Sequence, residues 1–101
     1  MSGPAERAQW RSPASLADHF AKHGPKLGLI NEGEYDASGR ETMRSGRRFT
    51  YEDRGSGEPR VGYFDRRSGL LVALTADEST LLTHFATDDE YVRNLPASTY
   101  P

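Results

Sequence analysis

The chain has 101 residues, of which 35% are hydrophobic and 28% charged, and this length fits one domain with a single core. A net charge of only −2 argues against a disordered polyelectrolyte, and the 5 Tyr, 4 Phe and 1 Trp supply rings that each bury roughly 150–250 Å². No apolar run approaches the roughly 18 residues of a membrane span, and the absence of cysteine excludes disulfides, thiolate chemistry and Cys-based zinc sites.

The N-terminal part of the chain contains one predicted helix. Residues 1–15 are polar and lack the apolar centre of a secretory signal, so they are predicted to be a flexible leader. Ser15 can accept hydrogen bonds from the first helical turn, and Leu16 and Phe20 recur at helical spacing. These features predict a helix over 16–23, which a glycine-proline pair ends.

A second helix is predicted to begin at Asn31. Glu34 lies three residues further on, an arrangement similar to a capping box with Asn in place of Ser or Thr. The helix is expected to run toward Arg44 and to close at Ser45-Gly46, where helical spacing gives way to alternation.

Alternating and apolar segments then predict strands. The four predicted strands are residues 48–53, 60–65, 70–75 and 80–85. Their connections are too short for helical crossovers and therefore predict an antiparallel meander. Along the last strand, alternation places Leu81, Thr83 and Phe85 on one face. Leu82 and His84 are expected on the other face.

The predicted fold class is α+β, with two N-terminal helices packed on a four-stranded antiparallel meander sheet. The domain is expected to span residues 16–87, followed by a C-terminal tail over 88–101 in which Tyr91, Val92 and Leu95 could dock as a turn. Helices on one side of the sheet leave the other side partly open to ligands or partners.

Charge is spread unevenly along the sequence. Arginine far outnumbers lysine, and eight arginines lie between residues 40 and 67, whereas acids dominate from Asp77 onward. The planar guanidinium binds phosphate with two hydrogen bonds, which allows a phosphate-containing partner. Ordinary solvated surface charge is an equally open interpretation.

The first predicted helix carries a cationic stripe formed by His19, Lys22, His23 and Lys26. A zinc pair fits the histidine spacing, but Phe20 stands where the metalloprotease motif has Glu, and two lysines would repel a dication. No metal is therefore predicted. A solvated helix face and acid/base work on a phosphodiester both remain open.

Cleavage of RNA without a metal needs one group to deprotonate the 2′-hydroxyl, another to protonate the leaving oxygen, and cations near the phosphate. Histidine suits both proton roles near neutral pH. Lys22 and an arginine would stabilise the phosphoryl charge, and Thr83 would hydrogen-bond a phosphate or base. His84 can share a pocket with Thr83 only if the strand bulges.

The predicted strands also carry candidate RNA contacts. Arg48, Arg60, Tyr63 and His84 are the candidates, because arginine pairs with phosphate and aromatic rings stack on bases. Rings on a sheet also serve as core residues, and the sequence leaves that alternative open.

One family resemblance covers residues 16–87. Its motifs are His19-Phe-Ala-Lys-His-Gly24, then Glu34-Tyr35, Tyr63-Phe-Asp65, Ser68-Gly69 and Thr83-His-Phe85. This order resembles that of C-terminal domains of bacterial polymorphic toxins and related phage proteins, which belong to the barnase, EndoU, colicin and RelE (BECR) group of metal-independent ribonucleases.

The resemblance implies an endoribonuclease toxin domain with its site between the first helix and the sheet. His19, Lys22, His23 and Thr83 are the catalytic residues carried over, and no cofactor is implied. The implied partners are RNA, with tRNA among the candidates, and a cognate immunity or antitoxin protein. The implied place of action is the bacterial cytoplasm, and delivery as part of a larger protein is compatible with it.

Two other functions stay open. A non-enzymatic protein-binding module, such as an inhibitor, an antitoxin-like partner or a phage accessory protein, would use the open sheet face. The isoelectric point near 5.9 and the acidic C-terminal region favour it, since RNA binding gains strength from phosphate neutralisation. A divalent-metal hydrolase is disfavoured, because few carboxylates cluster near the histidines.

Overall fold

The computed structural model describes residues 3–101, which form an α+β fold with one five-stranded mixed sheet and four α-helices. The helices are α1 (Pro4–Arg7), α2 (Pro13–His23), α3 (Glu32–Ser45) and α4 (Asp89–Arg93). The strands are β1 (Gln9–Trp10), β2 (Arg47–Glu52), β3 (Pro59–Asp65), β4 (Leu70–Thr75) and β5 (Thr80–Ala86). A 3-10 turn, Pro25–Leu27, follows α2. Within the described part, every helix is too short or too polar to cross a bilayer.

The sheet has the strand order β1-β5-β4-β3-β2. Strands β2 to β5 form an antiparallel meander, as predicted. The four-stranded prediction is nevertheless incomplete, because β1 pairs in parallel with the start of β5. Two residues are too few to show alternation in the sequence, and β1 forms only because the rest of the sheet offers it a free edge.

Capping residues decide where α2 and α3 begin. Ser12, rather than the predicted Ser15, caps α2, and its Oγ accepts a hydrogen bond from the Ser15 amide at 3.0 Å. The helix therefore begins three residues earlier than predicted. The cap at Asn31 is confirmed, since its Oδ1 accepts from the Glu34 amide at 2.8 Å.

One face of the sheet packs on α1 and α3. This face forms a buried apolar cluster of Ala5, Ala8, Met43, Val72, Leu74 and Leu81. Trp10 and Tyr63 pack on its margin. The cluster joins the N-terminal residues to the middle of the sheet.

Residues 3–15 are therefore part of the fold, and the prediction of a flexible leader is wrong for them; Met1 and Ser2 lie outside the described residues. The Arg40 guanidinium donates to the carbonyls of Ala5 and Ala8 at 3.0 and 2.7 Å. Trp10 Nε1 donates to Asp36 Oδ1 at 2.9 Å. These contacts join residues far apart in sequence, so the local pattern of the segment does not show them.

The other face of the sheet is covered by the C-terminal segment. Its buried residues are Phe49, Phe64, Leu71, Val92, Leu95 and Tyr100. The chain then follows the outer edge of β2, where the Thr99 amide donates to the Thr50 carbonyl at 2.9 Å and the Glu52 amide donates to the Pro96 carbonyl at 2.8 Å. The prediction of a partly open sheet face is therefore wrong where this segment packs, and the tail docks through Val92 and Leu95, two of the three residues expected to allow it. Covering an edge strand in this way also protects it from pairing with other chains.

A β-bulge changes the two faces of β5. Ala73 pairs with Thr83 but Leu74 pairs with Leu81, so one extra residue lies between these two partners on β5. As a result Leu81 and His84 are both buried on the helix-covered side. Leu81 was predicted to share a face with Thr83, and the bulge is the physical reason that it does not.

Candidate active site

The two histidines of α2 form a stacked pair. His19 and His23 lie one turn apart, with ring centroids 6.1 Å apart and an interplanar angle of 18°. Trp10 of β1 lies 5.9 Å from the His19 ring, and Phe85 of β5 lies 5.4 Å from the His23 ring. The imidazoles are half-buried between aromatic rings at the β5 edge of the sheet, while Lys22 is exposed beside them.

Burial and nearby cations lower the pKa of both imidazoles and so favour their neutral form. For His19, burial lowers the pKa below its ordinary value of about 6.5, Lys22 adds to this effect and Asp18 opposes it. For His23, burial again lowers the pKa, followed by the charges of His19, Lys22 and Lys26. A neutral imidazole is the form that accepts a proton.

One imidazole nitrogen lacks a protein partner. The Nδ1 atom of His19 is buried and forms no hydrogen bond with any group of residues 3–101. Leaving a buried polar atom unpaired costs roughly 1–3 kcal/mol, so such atoms are rare in native folds and each one calls for an explanation.

His23 lines a cavity of about 230 Å³ together with Lys26, Leu27, Phe85 and Ala86. The cavity combines an imidazole, an ammonium group and an aromatic ring. Lys26 belonged to the cationic stripe of the sequence, but no site role was predicted for it. Phe85 was expected to share a strand face with Thr83 and belongs to the last motif of the resemblance, but no site role was predicted for it either.

Thr83 lies in a second cavity, of about 250 Å³, between the sheet and α4. The structure does not bring Thr83 into the cavity of His23. Phe85 lines both cavities and thus connects the predicted threonine to the histidine pair. Tyr91 of α4 also lines the second cavity; the sequence allowed it to dock but predicted no site role for it.

His84 has a different environment from the other two histidines. It is fully buried, and its Nδ1 lies 3.0 Å from the Leu71 carbonyl, which can only accept, so Nδ1 carries the proton. Nε2 therefore accepts from the Ser38 hydroxyl at 2.9 Å. Burial lowers the pKa of His84, which stays neutral with both nitrogens paired. His84 therefore lies out of reach of a ligand. The β5 bulge, which was the condition for His84 to share a pocket with Thr83, is present, but His84 is buried on the helix-covered side.

The other predicted RNA contacts fall into two separate places. Arg48 and Tyr63 are cross-strand partners on β2 and β3, and both bind Glu78, with Arg48 Nε 3.2 Å from Glu78 Oε2. Burial and the Glu78 carboxylate raise the pKa of Tyr63 to about 12. Arg60 points to the opposite face of β3 by alternation and pairs with Glu58 at 3.1 Å. The four predicted RNA contacts therefore do not form one surface.

Within the described residues, no three His, Asp or Glu side chains are grouped so that they could hold a metal ion. Comparisons with protein-family models, curated proteins and solved structures found no match to this chain. The resemblance to toxin and phage ribonucleases therefore stays a prediction, and the function is inferred from the site.

Proposed function

We propose that this protein is a metal-independent endoribonuclease in which His19 and His23 transfer the protons. The observation that carries the proposal is the stacked pair of His19 and His23, of which His23 lines a cavity together with an ammonium group and an aromatic ring. Such a cavity offers an RNA strand proton transfer, phosphate binding and base stacking together.

The proposed reaction is an internal transesterification. One imidazole, neutral, takes the proton of the 2′-hydroxyl while the 2′-oxygen forms a bond to phosphorus. The bond from phosphorus to the 5′-oxygen breaks, and the other imidazole, protonated, gives its proton to that oxygen. The products are a 2′,3′-cyclic phosphate and a 5′-hydroxyl, with no change of oxidation state.

The ammonium groups of α2 and the turn after it supply positive charge to this step. Lys22 is exposed next to the imidazole pair, and Lys26 lines the His23 cavity. Both lower the pKa of His23, which shows that their fields reach the ring. The chain is acidic overall, and this local basic region is what would attract a phosphodiester.

The element order supports placing the domain near the BECR group of ribonucleases. Two helices, α2 and α3, precede a meander of four antiparallel strands, which is the order that the resemblance implies. In this proposal α1, β1 and α4 are additions to that common plan. The proposal includes RNA as substrate, with tRNA among the candidates, action in the bacterial cytoplasm, and control by an immunity or antitoxin protein.

A protein-binding module is the competing hypothesis, and it rested on an open sheet face and on the acidic isoelectric point and C-terminal region. Because α4 and the chain after it cover that face, only the acidic charge still favours it. The ribonuclease is accordingly the function proposed.

The experiment is an RNA cleavage assay in EDTA, with total tRNA and one structured transcript as substrates. We expect cleavage products that end in a 2′,3′-cyclic phosphate. His19→Gln and His23→Gln should each lower the rate roughly 10²- to 10⁴-fold, the usual contribution of a proton-transfer group. Arg47→Gln, an exposed cation on β2 away from both cavities, is the matched control and should cleave as the wild type does.

Circular dichroism spectra must show that the glutamine variants are folded. The proposal fails if folded wild-type protein cuts no RNA at several ratios of protein to RNA. It also fails if both histidine variants cleave at the wild-type rate, because the activity would then come from elsewhere.

A further inference from the structure

The cavity that contains Thr83 has the size and lining of a site for one planar group. It measures about 250 Å³, below the range of roughly 300–1,000 Å³ for larger ligands, and lies between β2, β4, β5 and α4. Leu71 and Ala73, each 2% exposed, provide an apolar floor from the central strand.

Aromatic rings stand around this floor. Tyr51, Phe85 and Tyr91 line the cavity, and the last two rings meet edge to face at 5.8 Å. Tyr91 is 43% exposed, which is unusual for a large aromatic side chain. Part of its ring surface is therefore free beside the cavity. Rings arranged in this way stack on nucleobases, a contact worth roughly 1–3 kcal/mol for each base.

Polar groups at the mouth can read the edge of a base. Asp53 accepts two hydrogen bonds from Ser56, both on Oδ2, and these bonds lower the pKa of the carboxyl, which is ionised at neutral pH. An ionised carboxylate only accepts hydrogen bonds, so it favours a ligand that presents N–H groups. Arg54 Nη2 donates to the Asn94 carbonyl at 3.1 Å and joins the loop after β2 to the end of α4.

We propose that this cavity is the base-binding subsite of the ribonuclease, and that it prefers a base with an exocyclic amino group over uracil. The inference rests on the proposed function for its link to catalysis. Phe85 lines both this cavity and that of His23, so a base held here lies next to the cavity of His23, where its phosphate can reach the imidazole. The rings supply stacking, and Asp53 accepts from the amino group.

The test is binding of the 3′-monophosphates of adenosine, cytidine, guanosine and uridine to the full-length protein, followed by amide NMR shifts, with inorganic phosphate as the reference. We expect the amides of Thr83 and Tyr91 to respond to the nucleotides and not to phosphate alone. Uridine 3′-monophosphate should bind about tenfold more weakly than the nucleotides that carry an amino group.

Two variants separate the contributions. Asp53→Asn keeps an acceptor for the Ser56 groups and should remove most of the preference against uridine. Tyr91→Leu should weaken all four nucleotides about tenfold. Glu90→Gln, an exposed change at the neighbouring position of α4 outside the cavity lining, is the matched control and should bind as the wild type does.

The inference is overturned if the nucleotides shift the same amides as phosphate does, or if the variants bind all four nucleotides as the wild type does. The assay needs no catalysis, so its outcome is independent of the cleavage experiment. Nucleotide binding without RNA cleavage would refute the ribonuclease and leave a nucleotide site. Cleavage without base preference, unchanged in Tyr91→Leu, would refute the subsite and leave the ribonuclease.

Discussion

The buried His84 makes the stability of the fold depend on pH. It faces the Tyr35 ring of α3, whose pKa burial raises to about 12, and its two nitrogens pair with Ser38 and Leu71. Because burial lowers the pKa of His84, the unfolded chain binds a proton below pH 6.5 that the folded chain does not bind. The stabilisation is therefore complete above the unfolded pKa of about 6.5 and is lost as the pH falls.

The size of this effect follows from proton linkage. Integrating from pH 6.5 to pH 5.5 gives an upper limit of about 1 kcal/mol for the loss in the free energy of unfolding, reached when His84 stays neutral throughout in the folded state. His19 and His23 act in the same direction, since burial lowers the pKa of both, but their partial exposure makes their share smaller. The ordinary pKa values of Asp and Glu, 3.8 and 4.5, lie below this window.

Urea unfolding of the wild type and of His84→Gln at pH 5.5, 6.0 and 6.5 measures this difference. The glutamine amide can donate to the Leu71 carbonyl, and the variant should lose about 1 kcal/mol less than the wild type over that interval. In wild-type protein, the ring NMR signals of His84 should stay those of the neutral form down to pH 5.5. Equal pH dependence of the two proteins, or a ring that titrates near 6.5 in the folded state, refutes the reasoning.

Three further measurements follow from the structure. The kcat/KM of RNA cleavage should peak below pH 6.5. One of His19 and His23 must be protonated for the reaction, and the pKa of both is lowered. A maximum above pH 7 contradicts this. Gly62→Ala should lower the free energy of unfolding in urea by about 1–3 kcal/mol, because its Cβ would lie 2.4 Å from the buried Phe49 ring. An unchanged urea midpoint of unfolding contradicts this. Asn31→Ala should lower the free energy of unfolding by about 1 kcal/mol through loss of the α3 cap, whereas Asn31→Asp should leave it unchanged. An equal loss in both variants would show that the cap hydrogen bond is not its cause.

The meander could be predicted because its pattern is local. Val61, Tyr63, Val72 and Leu74 alternate with residues of the opposite face, and short loops allow only antiparallel neighbours. The cap at Asn31 is likewise a property of adjacent residues. The bounds of these strands and of α3 lie within about one residue of the predicted ones, because side chains only a few positions apart determine them.

The terminal segments could not be predicted because their structure depends on distant residues. The carbonyl of Ala8 accepts from Arg40, and Tyr100 packs edge to face on both Phe49 and Phe64. Neither segment has a periodic pattern of its own. The bulge in β5 likewise results from pairing with β4 and separates Leu81 from the face that alternation gives it.

Only the part of the candidate site that depends on helix geometry could be predicted from the sequence. Spacing of four residues places His19 next to His23, and the structure shows that stacking. The position of Phe85 between two cavities depends on how α2 and α4 pack on the sheet, which no local pattern contains.

Burial alone does not separate a candidate catalytic histidine from a structural one in this fold. Burial lowers the pKa of His84 and of His19 alike, yet His84 has both nitrogens paired and His19 has a buried Nδ1 without a partner. The α2 pair also forms none of the ion pairs found among residues 3–101, although the nearby Asp18 carboxylate raises the pKa of His19. A bound phosphodiester would add negative charge and raise the pKa of the ring beside it. In the proposed ribonuclease, substrate binding would therefore favour the protonated acid, and RNA itself would complete the site.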